Sequence, residues 1–220
     1  MGTSSPVSKP DNDWDAERIK DWVVARSRPL LITVSAVVVG GSAFAFWQQS
    51  IRLKNDRADA AMVAAQGAYY SGNAALAKSD LEKLVTRYPG TTGATQAGML
   101  LAQLLYGEAK YDEGISQLSE IQGGAPVQFA AVVEELMAAG YADSGRPAEA
   151  AEHLMMAADK AQFPTERQLY RADAARMLTI AGRPADARVI WAELASITDS
   201  PVMTEARVRL GEMDAKAATP

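Results

Sequence analysis

The chain contains no cysteine. Disulfides, thiolate catalysis, cysteine-ligated zinc and lipid attachment through cysteine are excluded together. Histidine is almost as scarce, with His153 alone in 220 residues. A single imidazole builds neither a histidine metal cluster nor a Cys–His nucleophilic pair, and it reads as a partly exposed helical residue. Basic clusters are missing too. The net charge is −5, and residues 1–28 hold five basic and five acidic side chains, so the excess of acid belongs to the rest of the chain. Nucleic-acid phosphates are therefore an unsuitable partner. Phosphate-cradling loops are absent, because Gly40-Gly41 and Gly123-Gly124 are isolated pairs. The carboxylate pairs Glu134-Glu135 and Asp112-Glu113 fall on expected polar helix faces and read as solvated charge, without a partner for general acid–base work. No catalytic residue, metal ligand or cofactor is expected, and the chain reads as non-enzymatic.

Charge itself is missing between Arg28 and Arg52, and Leu30 to Trp47 is an 18-residue run of uncharged, mostly apolar residues. A hydrocarbon core about 30 Å thick is crossed by roughly 20 such residues in a helix. Trp22 and Trp47, 25 residues apart, suit a pair of interfacial aromatic anchors. Gly40 and Gly41 offer a small-residue face for helix packing in the membrane. An alternative is a secretory signal cleaved after Ala43-Phe44-Ala45, but the preceding 28 residues are long and carry acid, unlike a short basic leader. Four basic residues before the run (Arg18, Lys20, Arg26, Arg28) against three after it (Arg52, Lys54, Arg57) favour a cytoplasmic N-terminus by a small margin. Before the run, residues 1–12 are polar and aperiodic, and Asp13 to Arg26 can form a short amphipathic helix with Ile19, Trp22 and Val23 on one face.

Beyond the run no stretch alternates with period two, so strands are not expected. What is present is an internal repeat. The segments starting at Gly72 (GNAALAK), Ala109 (AKYDEGI), Gly145 (GRPAEAA) and Gly182 (GRPADAR) align at spacings of 37, 36 and 37. Five residues on come the small side chains Ala77, Gly114, Ala150 and Ala187, and nine residues on come Leu81, Leu118, Leu154 and Trp191. Leu84, Ile121, Ala157 and Leu194 follow at twelve, and Pro89, Pro126, Pro164 and Pro201 close the units. The pattern predicts helical hairpins: a first helix ending in a left-handed turn, then a second helix of about 15 residues with its small residue at the close approach. Such a hairpin cannot bury its own apolar face, so neighbours stack into a solenoid. Val202 to Lys216 reads as a capping helix. Tyr69, Tyr70, Tyr106 and Tyr141 recur at the ends of the first helices and are candidate partner contacts.

These turns resemble the tetratricopeptide repeat, with AKYDEGI and GRPAEAA the nearest matches. The expected fold is all-α: residues 1–28 a polar tail with its short amphipathic segment, 29–51 a transmembrane helix, 52–201 tetratricopeptide-like repeats, and 202–220 a capping helix and tail. Taken whole, the chain resembles the bacterial family of single-span proteins with an exported repeat domain, whose best-known member is the ancillary subunit of the Sec translocon. That resemblance implies a non-catalytic scaffold in the inner membrane, with the N-terminus cytoplasmic and the repeats periplasmic. It also implies other membrane-protein subunits and periplasmic chaperones as partners. Two alternatives stand beside it: an accessory subunit of a respiratory or photosynthetic membrane complex, and a soluble periplasmic repeat protein released by cleavage.

Overall fold

The computed structural model describes residues 19–21, 24 and 27–217. They contain nine helices of 12 residues or more: α1 Ser27–Tyr70, α2 Ala74–Arg87, α3 Thr92–Gly107, α4 Tyr111–Gln122, α5 Val127–Asp143, α6 Pro147–Lys160, α7 Pro164–Ile180, α8 Pro184–Ser196 and α9 Met203–Ala217. No strand occurs among the described residues. The chain divides into two compact units, residues 1–52 and 53–220.

In the first unit, Val37, Val38, Val39, Phe44, Phe46 and Trp47 lie on α1 and are exposed, Phe46 by 75%. Successive helical residues are about 100° apart, so these six point in every direction around the helix. Phe44 and Trp47 lean on each other with ring centres 6.0 Å apart. Side chains are described without interruption only from Val37 onward. Among the described residues no helix is long and apolar enough to cross a membrane. The expected 29–51 span lies within α1, with the side chains of residues 29–34 and 36 outside the description, as are Trp22 and most of the amphipathic segment Asp13–Arg26.

In the second unit the left-handed turns stand where the repeat spacing put them. Gly72 (φ 80°), Ala109 (φ 59°), Gly145 (φ 77°) and Gly182 (φ 74°) all have positive φ. The amide after each one bonds back five residues: Asn73 to Ala68, Lys110 to Leu105, Arg146 to Tyr141 and Arg183 to Leu178, at 2.8–3.0 Å. That bond closes a helix end by satisfying a carbonyl left without an intrahelical partner. Glycine adopts this conformation without a Cβ penalty, whereas Ala109 holds it against one. The helices after the last two turns start on Pro147 and Pro184, whose fixed φ and missing N–H suit a first helical position.

The repeat register also holds in the packing. Ala77, Gly114, Ala150 and Ala187 are buried, and so are Leu81, Leu118, Leu154 and Trp191 one turn later. Each fully buried leucine contributes about 1.5–3 kcal/mol of transfer free energy. The prolines differ in part from expectation. Pro164 is the first residue of α7 and Pro126 caps α5, so these two open the next unit rather than only ending the previous one. Their missing N–H is harmless in a first turn, where no intrahelical acceptor exists.

Candidate functional site

A groove of about 300 Å³ lies between α1, α3 and α5. Its α1 wall is Met62, Gln66, Tyr69 and Tyr70, its α3 wall is Gln96, Met99, Leu100 and Gln103, and Phe129 of α5 closes one side. Both walls follow from helical periodicity, since steps of three and four residues keep side chains on one stripe. Tyr69 and Tyr70 meet edge to face at 5.5 Å, and Tyr70 is 81% exposed. No charged side chain lines the groove. The amides of Gln66, Gln96 and Gln103 make no hydrogen bond with any described residue, so each keeps a free donor and a free acceptor.

The candidate tyrosines therefore part company. Tyr69 and Tyr70 line the groove, while Tyr106 and Tyr141 sit between helices. The Tyr106 ring fills the space that a Cβ at Gly114 or Gly140 would occupy, and its hydroxyl donates to the Leu136 carbonyl at 3.1 Å. Burial, then the charge of Asp143, raises its pKa above the ordinary tyrosine value. Glycine at the small-residue position is the signal in the sequence: the equivalent residue of the first unit, Ala77, carries a Cβ, and Tyr69 stays at the surface. Tyr141 stacks on His153 at 5.0 Å, with the Arg146 guanidinium 4.7 Å from its ring centre.

The carboxylate pair of α5 is not solvated as expected. Glu134 is fully buried, and only Glu135 is exposed, where it accepts from the Tyr170 hydroxyl at 3.0 Å. Glu134 receives Gln122 Nε2 at 2.5 Å, His153 Nδ1 at 2.7 Å and Lys160 Nζ. A carboxylate only accepts, so Nδ1 of His153 carries the shared proton. Burial alone pushes the Glu134 carboxyl up, but the bonds from Lys160, His153 and Gln122 outweigh it and hold the group below its ordinary value. The cluster joins α4, α5 and α6. It is a clamp between repeats. Periodicity missed it because Glu134 follows Val133 directly, and both are buried where α5 is covered on two sides.

A second groove, of about 360 Å³, lies between α7 and α9 over Trp191 of α8. Its rim is charged, and apart from Lys216 the charges have partners. Arg176 pairs with Glu205 at 2.5 Å and with Asp173, and Arg209 pairs with Glu212 at 3.1 Å. The hydrogen bond from Arg176 holds the Glu205 carboxyl below its ordinary value. Trp191 Nε1 is buried without a partner. Of the membrane candidates, Trp47 is exposed, and Gly40 and Gly41 have open space where a Cβ would stand.

Stacked helical hairpins with a lined groove define a helical-repeat scaffold of the kind that mediates protein–protein interaction. The chain belongs to the tetratricopeptide repeat-like domain family, which it matches over residues 20–196. Two crystal structures of putative kinesin light chain tetratricopeptide-like repeats from Podosopora anserina, one of them carrying a single substitution, share the fold. Their TM-scores are 0.54 and 0.53 at 15% identity, over 75% of this chain and 89% of theirs. No curated protein matches.

Proposed function

We propose that the protein is a non-catalytic scaffold, tethered to a membrane by the Leu30–Trp47 helix, that holds a segment of a partner protein in the α1–α3–α5 groove. The observation that carries the scaffold reading is the groove: aromatic and amide side chains with unused hydrogen-bonding capacity, next to a repeat core whose other polar groups are largely paired. The tether is supported by the uncharged run and by the exposure of Val37 to Val39, Phe44, Phe46 and Trp47 around α1. A helix apolar on every side belongs in a bilayer or in a protein core. The family match begins at residue 20 and so takes in the apolar run together with the repeats.

We place the tether in a bacterial inner membrane, with the N-terminus cytoplasmic and the repeats periplasmic. The partners in this reading are other membrane-protein subunits, the translocon and its chaperones foremost. The test is retention of the full chain in membranes during an alkaline wash, followed by mild detergent extraction and identification of subunits crosslinked from a photoreactive residue at Tyr70. Retention with crosslinked membrane or periplasmic proteins is expected. Release by the wash removes the tether, and absence of any crosslinked protein removes the scaffold. Crosslinked respiratory or photosynthetic subunits would move the protein to that kind of complex.

A further inference from the structure

We propose that one edge of the repeat unit, made by the connections from each second helix to the next first helix, rests on the lipid bilayer and inserts Val127 and Phe163 into its surface. This rests on the tether reading above and adds a second membrane contact, made by the repeats themselves.

Consecutive helices from α1 to α9 are joined by three to six residues. Neighbours so joined run antiparallel, and the connections alternate between two edges of the stack. One edge carries residues 71–73, 108–110, 144–146 and 181–183, with the charges Glu108, Lys110, Arg146 and Arg183. Ion pairs hold them: Lys110 with Glu108 at 2.6 Å, Arg146 with Asp112 at 2.5 Å and Arg183 with Asp186 at 2.7 Å. The other edge carries residues 88–91, 123–126, 161–163 and 197–202, where Asp199 is the one charge.

On that second edge Val127, the first residue of α5, is 72% exposed, and Phe163, the N-cap of α7, is 61% exposed. Single exposed apolar residues are ordinary, and Tyr70 and Ile180 are exposed near the charged edge as well. The setting of Val127 and Phe163 differs. They adjoin uncharged connections, so an apolar phase can approach them without desolvating an ion. Charged side chains resume within a turn, as at Lys160 and Glu166. That limits insertion to the boundary between headgroups and acyl chains, where aromatic rings are favoured.

The same edge is where the chain enters the repeat unit, at Leu53. Lys54 Nζ donates to the Pro89 carbonyl at 2.7 Å, which fixes the entry beside the first of these connections. A Cβ at Gly124 would stand 3.5 Å from Gly90 Cα, so the second connection adjoins the first. Gln122 and Lys160, at the ends of α4 and α6, meet on Glu134 and bring the third alongside. The uncharged run ends at Trp47, six residues before Leu53. Six residues reach about 20 Å at most, and helices of 12 to 17 residues, roughly 18–26 Å long, separate the two edges. A bilayer that holds the run therefore passes nearest the uncharged edge.

The chain has no cysteine, so one introduced thiol carries one fluorophore. Gln162→Cys puts it on the uncharged edge and Ser71→Cys on the charged edge, both at exposed positions. The full chain is reconstituted into vesicles of phosphatidylethanolamine and phosphatidylglycerol that contain a headgroup-attached quencher. Quenching at Gln162→Cys is expected to exceed that at Ser71→Cys by about twofold or more. Adding Val127→Ser and Phe163→Ser is expected to bring it down to the Ser71→Cys level, with unchanged circular dichroism. Equal quenching at the two positions overturns the proposal, and so does quenching that ignores the double substitution. A preference that arises only when other membrane proteins are added assigns the edge to a protein and also overturns it. Flotation with the vesicles after an alkaline wash separates this failure from that of the tether. Chain that floats without a preference keeps its tether and loses only the surface contact, whereas chain that does not float loses both.

Discussion

The two grooves of the repeat domain lie between first helices in the same way, yet their polar groups are used differently. Between α1, α3 and α5 they include uncharged glutamines, Gln66, Gln96 and Gln103, without a partner among the described residues. Between α7 and α9 they include ions, most of which close on each other through Arg176, Glu205, Arg209 and Glu212, while Lys216 lines the groove without an ion pair among the described residues. Size does not separate the two, at about 300 and 360 Å³. What separates them is charge, absent from the lining of the first groove and present in that of the second. The Glu134 cluster, between them in the chain, shows the limiting case of a polar group used wholly for internal structure.

Glu134 gives the largest expected effect. Glu134→Ala removes a fully buried carboxylate that three side chains serve, and a loss of about 3 kcal/mol is expected. Glu205→Ala, in the partly exposed network of α9, is expected to cost about 1 kcal/mol or less. Chemical denaturation of both variants checks the pair, and equal losses would mean that burial does not distinguish the two networks. The pH dependence has a definite sign. Because the folded carboxyl of Glu134 lies below its ordinary value, its contribution is complete above the usual carboxylate range and is lost as the pH falls through the folded value. The stability gap between wild type and Glu134→Ala should narrow on acidification, and a gap that widens there contradicts the clamp.

Next comes a charge placed in the neutral groove. Gln103→Glu is expected to reduce capture of a neutral segment about tenfold, equivalent to about 1.4 kcal/mol, whereas Glu212→Gln in the C-terminal groove leaves capture unchanged. Binding measured on both variants sharpens the contrast between the grooves, and it dissolves if both lose affinity alike.

The smallest effects come from the turns that set both grooves. A Cβ at Gly145 meets no neighbour, so Gly145→Ala isolates the cost of positive φ, and about 1 kcal/mol of destabilisation is expected. Ala109→Gly relieves the same strain in the second unit and should stabilise by roughly 0.5 kcal/mol. Thermal melts of the two variants should shift in opposite directions.

The hairpins were legible in the residues because their determinants are local. A left-handed residue every 36 or 37 positions, a small residue five later and a proline or polar cap at the helix start act within a turn or two of the chain. The apolar run is legible for the same reason, since hydrophobicity over consecutive residues needs no partner to be read. The groove was not legible. Its residues come from three helices between Met62 and Phe129, and only packing brings those stripes together. Tyr69 and Tyr106 occupy the same place before their turns, yet one faces the groove and the other is sealed between Gly114 and Gly140. Glu134 reads as surface charge beside Glu135 until α4 and α6 close over it with Gln122, His153 and Lys160.

The sequence by itself determined the helical repeat, its turns and the uncharged Leu30–Trp47 helix, because propensity, capping and hydrophobic periodicity act along the chain. Tertiary structure alone decided which tyrosines are spent in the core, which carboxylate is buried and which glutamines are left without partners. Those outcomes depend on which helix covers each side chain, and that is settled only when the hairpins stack.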